Sequence, residues 1–265
     1  MKKTINRIKL AIKKSNKASL CTYIIVRILT IFCLIRELFN SNYENALLCV
    51  LSLILFLLPS FIERKFKIDF PSVLEIIVLL FIFSAEILGE INNFYGTFNN
   101  FDNILHTLNG FLAASIGFSL IYLLNENIES FKLSPLFVSI VAFCFSMTIG
   151  IAWEFFEYGM DSLFGLDMQK DEYIYNINTV TIDPEFDNNV ININDIDNTV
   201  LYDSNNNQII KLNGYLDIGL HDTMKDLLVN FVGALTFSIF GYLYIFNDKK
   251  YNIAGKFLTR KTIGN

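Results

Sequence analysis

The chain has 265 residues, 53% of them hydrophobic and 18% charged, with a net charge of −5. A soluble domain is about a quarter charged, and this much apolar surface excludes a disordered chain. Cys21, Cys33, Cys49 and Cys144 all sit in apolar runs, so they read as small hydrophobes and not as a disulfide framework. The acidic balance argues against a nucleic-acid partner.

Residues 1–18 carry seven basic side chains and no acid, and place Ile5, Ile8 and Ile12 along one helical face among lysines. Such a segment suits the surface of an anionic leaflet; a basic flank that merely sets topology fits as well. Six apolar stretches follow, roughly 20–39, 44–62, 72–91, 103–124, 135–157 and 225–246. A spanning helix needs about 20 mostly apolar residues, and runs that are apolar on every side are not core helices of a soluble protein. Span one contains Arg27 and Arg36, and no small-residue cleavage site follows it. It therefore reads as a retained anchor and not as a signal peptide. Span two has no charge from Ala46 to Leu58.

Six crossings put both tails on one side. That side also holds the 62–71 and 125–134 loops, and together these segments contain 16 of the 21 Lys and Arg. Positive segments stay inside, so both termini are expected in the cytoplasm. Residues 162–221, between spans five and six, then lie outside. Residues 173–182 alternate in the manner of a strand, and Val200–Tyr202 and Ile209–Leu212 flank Asp203–Gln208 like the arms of a hairpin. This loop is expected to form a small β-rich cap. Its Asp and Asn residues lack the spacing and closing Glu of an EF-hand, so a solvated acidic loop is the reading adopted.

Polar residues stand where membrane helices should be apolar. Asp102, His106 and Gly110 are four apart on span four, with Asn109 beside them. Glu154, Glu157 and Asp161 share a face near the end of span five, and Asp222, Asp226, Asn230 and Gly233 form a stripe on span six. Antiparallel threading sets all three stripes at the outer level. Each reaches about 10–12 Å deep at 1.5 Å per residue, further than a helix cap. Glu86 and Glu90 end span three on that side, and Arg36 and Glu37 end span one there. A charge at mid-membrane costs about 2.5–3.5 kcal/mol on insertion scales and tends to pair or bind an ion. Eight carboxylates face few cations, so either several stay protonated or a cation is bound. A His with Asp and Glu suits a zinc- or manganese-like ion; carboxylates alone suit magnesium or calcium. Glu154, Glu157, Asp226 and His106 form the expected inner set, and Asp102, Asp161 and Asp222 complete the candidate ligands. Asp102 and Asp222 also fit simple helix caps, Gly110 and Gly233 fit close helix packing, and Trp153 with Tyr158 fits an interface belt.

Asn93-Phe-Tyr, Asp102-x3-His106-x3-Gly110, Trp153-Glu-x2-Glu157 and Asp222-Thr-x2-Asp226-x3-Asn230-x2-Gly233 together resemble the pattern of YjdF-type bacterial membrane proteins, and more distantly that of VanZ-like proteins. The resemblance covers about residues 85–245. It implies a polytopic envelope protein with a shared polar site. VanZ-like proteins usually show Glu then Gln where this chain has Glu154 and Glu157, and an Arg before the last helix where it has only Lys170 and Lys211. A role in glycopeptide tolerance is therefore not carried over.

The sequence thus describes an all-α polytopic membrane protein of the bacterial plasma membrane, with six transmembrane helices and a small β-rich extracellular insertion. Its parts are a basic tail (1–18), spans one to five (19–161), the outer loop (162–221), span six (222–246) and a second basic tail (247–265). Three functions fit. The first is an envelope enzyme that binds a divalent cation and acts on a lipid-linked or cell-envelope substrate, with Glu154 or Glu157 as base and His106 with Asp226 holding the ion or donating a proton. The second is an ion- or proton-coupled transporter, against which stands the lack of an inner-half polar path or inverted repeat. The third is a non-catalytic scaffold surrounded by membrane lipids.

Overall fold

The structure, a computed structural model, describes residues 16–66, 68–126, 132–185, 187–247 and 249–261; the basic stretch with Ile5, Ile8 and Ile12 lies outside them. The chain forms two compact units. One comprises the residues up to Gly150 and those from Asp226 onward, and the other comprises Ile151–Lys225.

The first unit is helical. Helix α1 (Lys17–Phe39) starts where the Asn16 side chain accepts the amide N–H of Ala18 and stops at Asn40. α2 (Tyr43–Leu55) starts at Asn42, whose side chain accepts the N–H of Asn45, and α3 (Leu58–Phe66) continues the same apolar run. The break lies at Leu55 because Pro59 has no N–H for the Leu55 carbonyl and its ring crowds that oxygen. A two-residue strand, β1 (Ile68–Asp69), leads to α4 (Ser72–Ile82), which widens into a π-helix over Phe83–Ile91. A short α5 (Phe94–Thr97) precedes α6 (Phe101–Glu126). α7 (Pro135–Phe164) and α8 (Leu220–Phe246) each begin in one unit and end in the other.

Six helical stretches are long and apolar enough to cross a membrane: Lys17–Phe39, Tyr43–Lys65, Ser72–Ile91, Phe101–Glu126, Pro135–Phe164 and Leu220–Phe246. They match the six expected spans, with one systematic difference. Span five runs to Phe164 and span six starts at Leu220, because their polar turns break an apolar run without breaking a helix. Span four is the central rod, since half of its apolar window is buried against 22–39% for the others. Its core is built on Leu112, Ala114 and Phe118, against Leu74, Val138, Ala142, Ala234, Phe237 and Tyr244. Alanines at these contacts let the helices come close, which drives association when water supplies no hydrophobic force.

The segment after span six is also part of this core. A 3₁₀ turn (Ala254–Phe257) buries Ala254 and Phe257, and strand β8 (Arg260–Lys261) pairs antiparallel with β1, Ile68 opposite Lys261 and Asp69 opposite Arg260.

The second unit carries the expected small β structure as three two-stranded antiparallel ladders. β2 (Glu172–Ile174) pairs with β7 (Tyr215–Asp217), β3 (Ile177–Thr179) with β4 (Ile191–Ile193), and β5 (Thr199–Tyr202) with β6 (Gln208–Leu212). The last pair is the hairpin expected around Asp203–Gln208, with a register shift at Leu201/Tyr202. The single alternating run 173–182 is two strands in different ladders. It divides at Tyr175–Asn176, where the Tyr175 carbonyl accepts the N–H of Ile196 and Asn176 accepts the N–H of Asp195.

Candidate functional site

In the first unit, span four presents Asp102 and His106 one turn apart, and span six presents Asp226 to them. His106 Nε2 lies 3.6 Å from Asp102 Oδ1 and 3.8 Å from Asp226 Oδ2. One ligand atom from each of the three residues lies within 4.8 Å of the others. The side chains close off in sequence: Asp102 is 33% exposed, His106 10% and Asp226 2%. The site therefore opens at the Asp102 end, where span four begins, and narrows toward Asp226.

The packing below holds this geometry. Asn230, one turn past Asp226, is almost fully buried, and its Oδ1 accepts from Asn109 Nδ2 at 3.3 Å. Its Nδ2 faces Met147 Sδ at 3.6 Å. A Cβ on Gly110 would strike the Asn230 carbonyl oxygen, and one on Gly233 would strike the Thr107 carbonyl and lie 2.9 Å from the Phe111 nitrogen. A Cβ on Gly150 would lie 2.6 Å from Asn230 Nδ2. Ser146 Oγ donates to the Gly110 carbonyl at 2.7 Å. Backbone thus meets backbone where spans four and six cross. The expected packing role of Gly110 and Gly233 is met, and Asn109 and Asn230 are brought together. Ser146 and Gly150 carried no separate signal, because a Ser or Gly in an apolar run is common in any membrane helix.

Further expected residues of this unit lie on spans one and three. On span three, Glu86 is half-buried and Glu90 exposed, both carried by the π-helix. At the end of span one, Glu37 is buried and takes the Arg36 guanidinium at 2.6 Å, while Arg36 also reaches Asn92 at 3.1 Å. Glu75, without a role in the sequence reading, accepts from the Ser19 hydroxyl, and Arg27 lies over the Tyr23 ring at 4.3 Å.

In the second unit, Glu154 and Glu157 are buried, and Trp153 Nε1 donates to Glu157 Oε1 at 2.8 Å. Asp161 accepts the backbone N–H groups of Met168 and Gln169 at 2.6 and 2.8 Å, and Asp222 accepts that of Lys170 at 2.8 Å. These two acids tie the 168–170 segment to the ends of spans five and six. Lys225 pairs with Glu172. Trp153 was missed as a partner because its spacing to Glu157, four residues on, also fits an interface belt.

The donor set suits a divalent cation. Two ligands about 2.1 Å from a tetrahedral ion stand about 3.4 Å apart, near the separations found here. These separations also exceed a direct hydrogen bond. One imidazole with two carboxylates favours zinc or manganese over calcium.

A family model described as "Predicted membrane protein (DUF2238)" matches residues 20–247. The chain belongs to the DUF2238 family. It is therefore a multi-pass membrane protein, in agreement with its six apolar helices. No curated protein and no solved structure matches this DUF2238 chain. The matched region takes in all six spans and the Asp102–His106–Asp226 cluster, and ends at residue 247, before the folded C-terminal segment.

Proposed function

We propose that this DUF2238 protein is a cation-dependent enzyme of the bacterial plasma membrane, acting on a lipid-linked or cell-envelope substrate. The observation that carries the reading is the meeting of Asp102, His106 and Asp226 at ligand spacing in an apolar bundle, open at one end. Those three residues would hold a divalent cation, which supplies Lewis-acid polarisation of a substrate oxygen when bound. Asp102, the exposed member, would meet the incoming polar group, while Asp226, enclosed, would supply a carboxylate oxygen to the ion. Glu154 or Glu157 is the proposed base, with the Trp153 indole orienting Glu157. Asp161 and Asp222 are proposed as further ligands, since each carboxylate keeps lone pairs beyond the amides that it accepts.

The orientation belongs to this reading. The basic tails and inner loops lie in the cytoplasm, so the cluster opens outward, where envelope precursors are displayed on their lipid carriers. The motif resemblance to YjdF-type and VanZ-like proteins supports an envelope setting.

The test is metal content. Full-length protein purified in detergent and incubated with Zn2+ or Mn2+, then desalted, should retain about one equivalent, and His106→Gln and Asp226→Asn should each lose most of it, since the loss even of a group that only orients a ligand costs on the order of 10–100-fold in affinity. A wild type that retains neither ion sinks the proposal, and proton-coupled transport or a scaffold role then takes its place.

A further inference from the structure

We propose that the C-terminal segment Ala254–Lys261 is a re-entrant plug that closes the tail-side half of the helix bundle, leaving the Asp102–His106–Asp226 cluster accessible from one face only. This does not rest on the cation reading; it concerns how the bundle is sealed.

The argument starts from depth. Phe257 packs edge-on to Phe237 at 5.5 Å and to Phe111 at 5.3 Å. Phe237 lies nine residues from the end of span six and Phe111 fifteen from the end of span four. At 1.5 Å per residue those positions are roughly 13 and 22 Å into the bundle from the tail side. Thr259 is tied nearer the tail-side end. Its N–H donates to Ser119 Oγ at 2.8 Å, and its hydroxyl lies 2.6 Å from the same atom. Ser119 is seven residues from its helix end, about 10 Å in.

Non-helical backbone is tolerated at that depth only where protein encloses it or where it lines a water-filled cavity. Here protein encloses it: Ala254, Phe257 and Thr259 are buried, as are Ser119, Phe237 and Tyr244 around them. The segment fills space among spans that the helices leave open.

Both ends of the plug return to the surface. Lys249 Nζ stands 3.2 Å from Glu126 and over the Tyr122 ring at 5.7 Å, which holds the entry at the end of span four. These partners, the Tyr122 hydroxyl first and then Glu126, raise the Lys249 pKa, so the ammonium is charged at any physiological pH. At the exit, Arg260 and Lys261 pair with β1 in the loop between spans two and three. Among the described residues the strap is fastened by an exposed ion pair and a two-residue ladder, and its middle by aromatic edges and by the hydroxyl and N–H of Thr259 on Ser119. These are ties that can open without unfolding a span.

The experiment uses the full chain with its four native cysteines replaced by Ala. Ser119→Cys is added and labelled with a membrane-impermeant methanethiosulfonate in detergent micelles. With the plug seated the thiol should react slowly. Addition of Phe257→Asp, which sets a charge at mid-bundle, should expel the segment and raise the rate roughly ten-fold or more, as expected for local opening. Equal rates in the two proteins overturn the proposal. A separate measurement guards against misfolding of the Asp variant: Ser119→Cys with Thr259→Cys, in the otherwise unchanged cysteine-free chain, should form an intramolecular disulfide on mild copper-phenanthroline oxidation. A fully reduced pair after that treatment overturns the proposal as well.

Discussion

At the scale of single residues, the crossing of spans four and six is set by atoms that cannot move aside. At Gly110 and Gly233 the opposing atoms are backbone carbonyls, not flexible side chains. Gly110→Ala and Gly233→Ala should each destabilise by about 1–3 kcal/mol through overpacking, read as a lowered unfolding midpoint of the solubilised protein. Gly159 is the control. Nothing lies within 4 Å of a Cβ there, so Gly159→Ala should leave the midpoint unchanged or raise it slightly, because Ala is the better helix former by about 0.5–1 kcal/mol. Equal losses at all three positions would refute close approach as the reason for these glycines. Asp226 and His106 sit one turn from this contact, so if the cluster holds the proposed cation, the Ala variants should also lower its retention.

At the scale of elements, acids that look like ligands in sequence act as backbone acceptors in the fold. Asp161 takes two N–H groups at the end of span five. Asp161→Ala leaves both amides without that acceptor, and hydrogen bonds to a charged group are each worth about 1.5–3 kcal/mol. Faster amide exchange at Met168 and Gln169 is the expected outcome, with exchange in span four unaltered. The β5–β6 hairpin offers a pH test. Asp203 accepts the Asn207 side chain and backbone and the Asn205 N–H, and these bonds hold its carboxyl below the usual carboxylate range. A depressed folded pKa contributes stability above the ordinary value of about 3.9, which is lost as pH falls through the folded one. Exchange at Asn205 and Asn207 should therefore rise only below about pH 4; a rise between pH 5 and 7 would point to another group. The hairpin itself was legible, because two short apolar arms flank a turn rich in Asn with Asp203 at its start. The division of the 173–182 run was not, because strand partners come from segments up to about forty residues away, such as β7 opposite β2.

At the scale of the whole molecule, hydropathy places six crossings, and charge gives the expected side of their ends. If the basic side is cytoplasmic, a thiol introduced as Asn205→Cys should react with impermeant reagent applied to intact cells, and one introduced as Lys250→Cys only after permeabilisation. The reverse pattern would invert the topology and turn the cluster toward the cytoplasm. The six spans were readable because each is a local property of about 20 residues. The tail was not. Residues 249–261 read as a basic flank, yet Phe257 and Thr259 are core, and two residues among many polar neighbours leave no periodic signal.

By itself the sequence determined that this chain crosses a membrane six times, that it folds a small β unit between the last two spans, and that polar stripes interrupt three of its helices. Those properties are local, since burial in lipid depends on side chains within one helix. The sequence set these stripes at one level, and tertiary structure decided the distances between their side chains. Asn109 finds Asn230, and Asp102 and His106 find Asp226, across some 120 residues of chain. The helix rotations and crossing that bring them together are set by glycine contacts and by a folded tail, which no window of sequence contains.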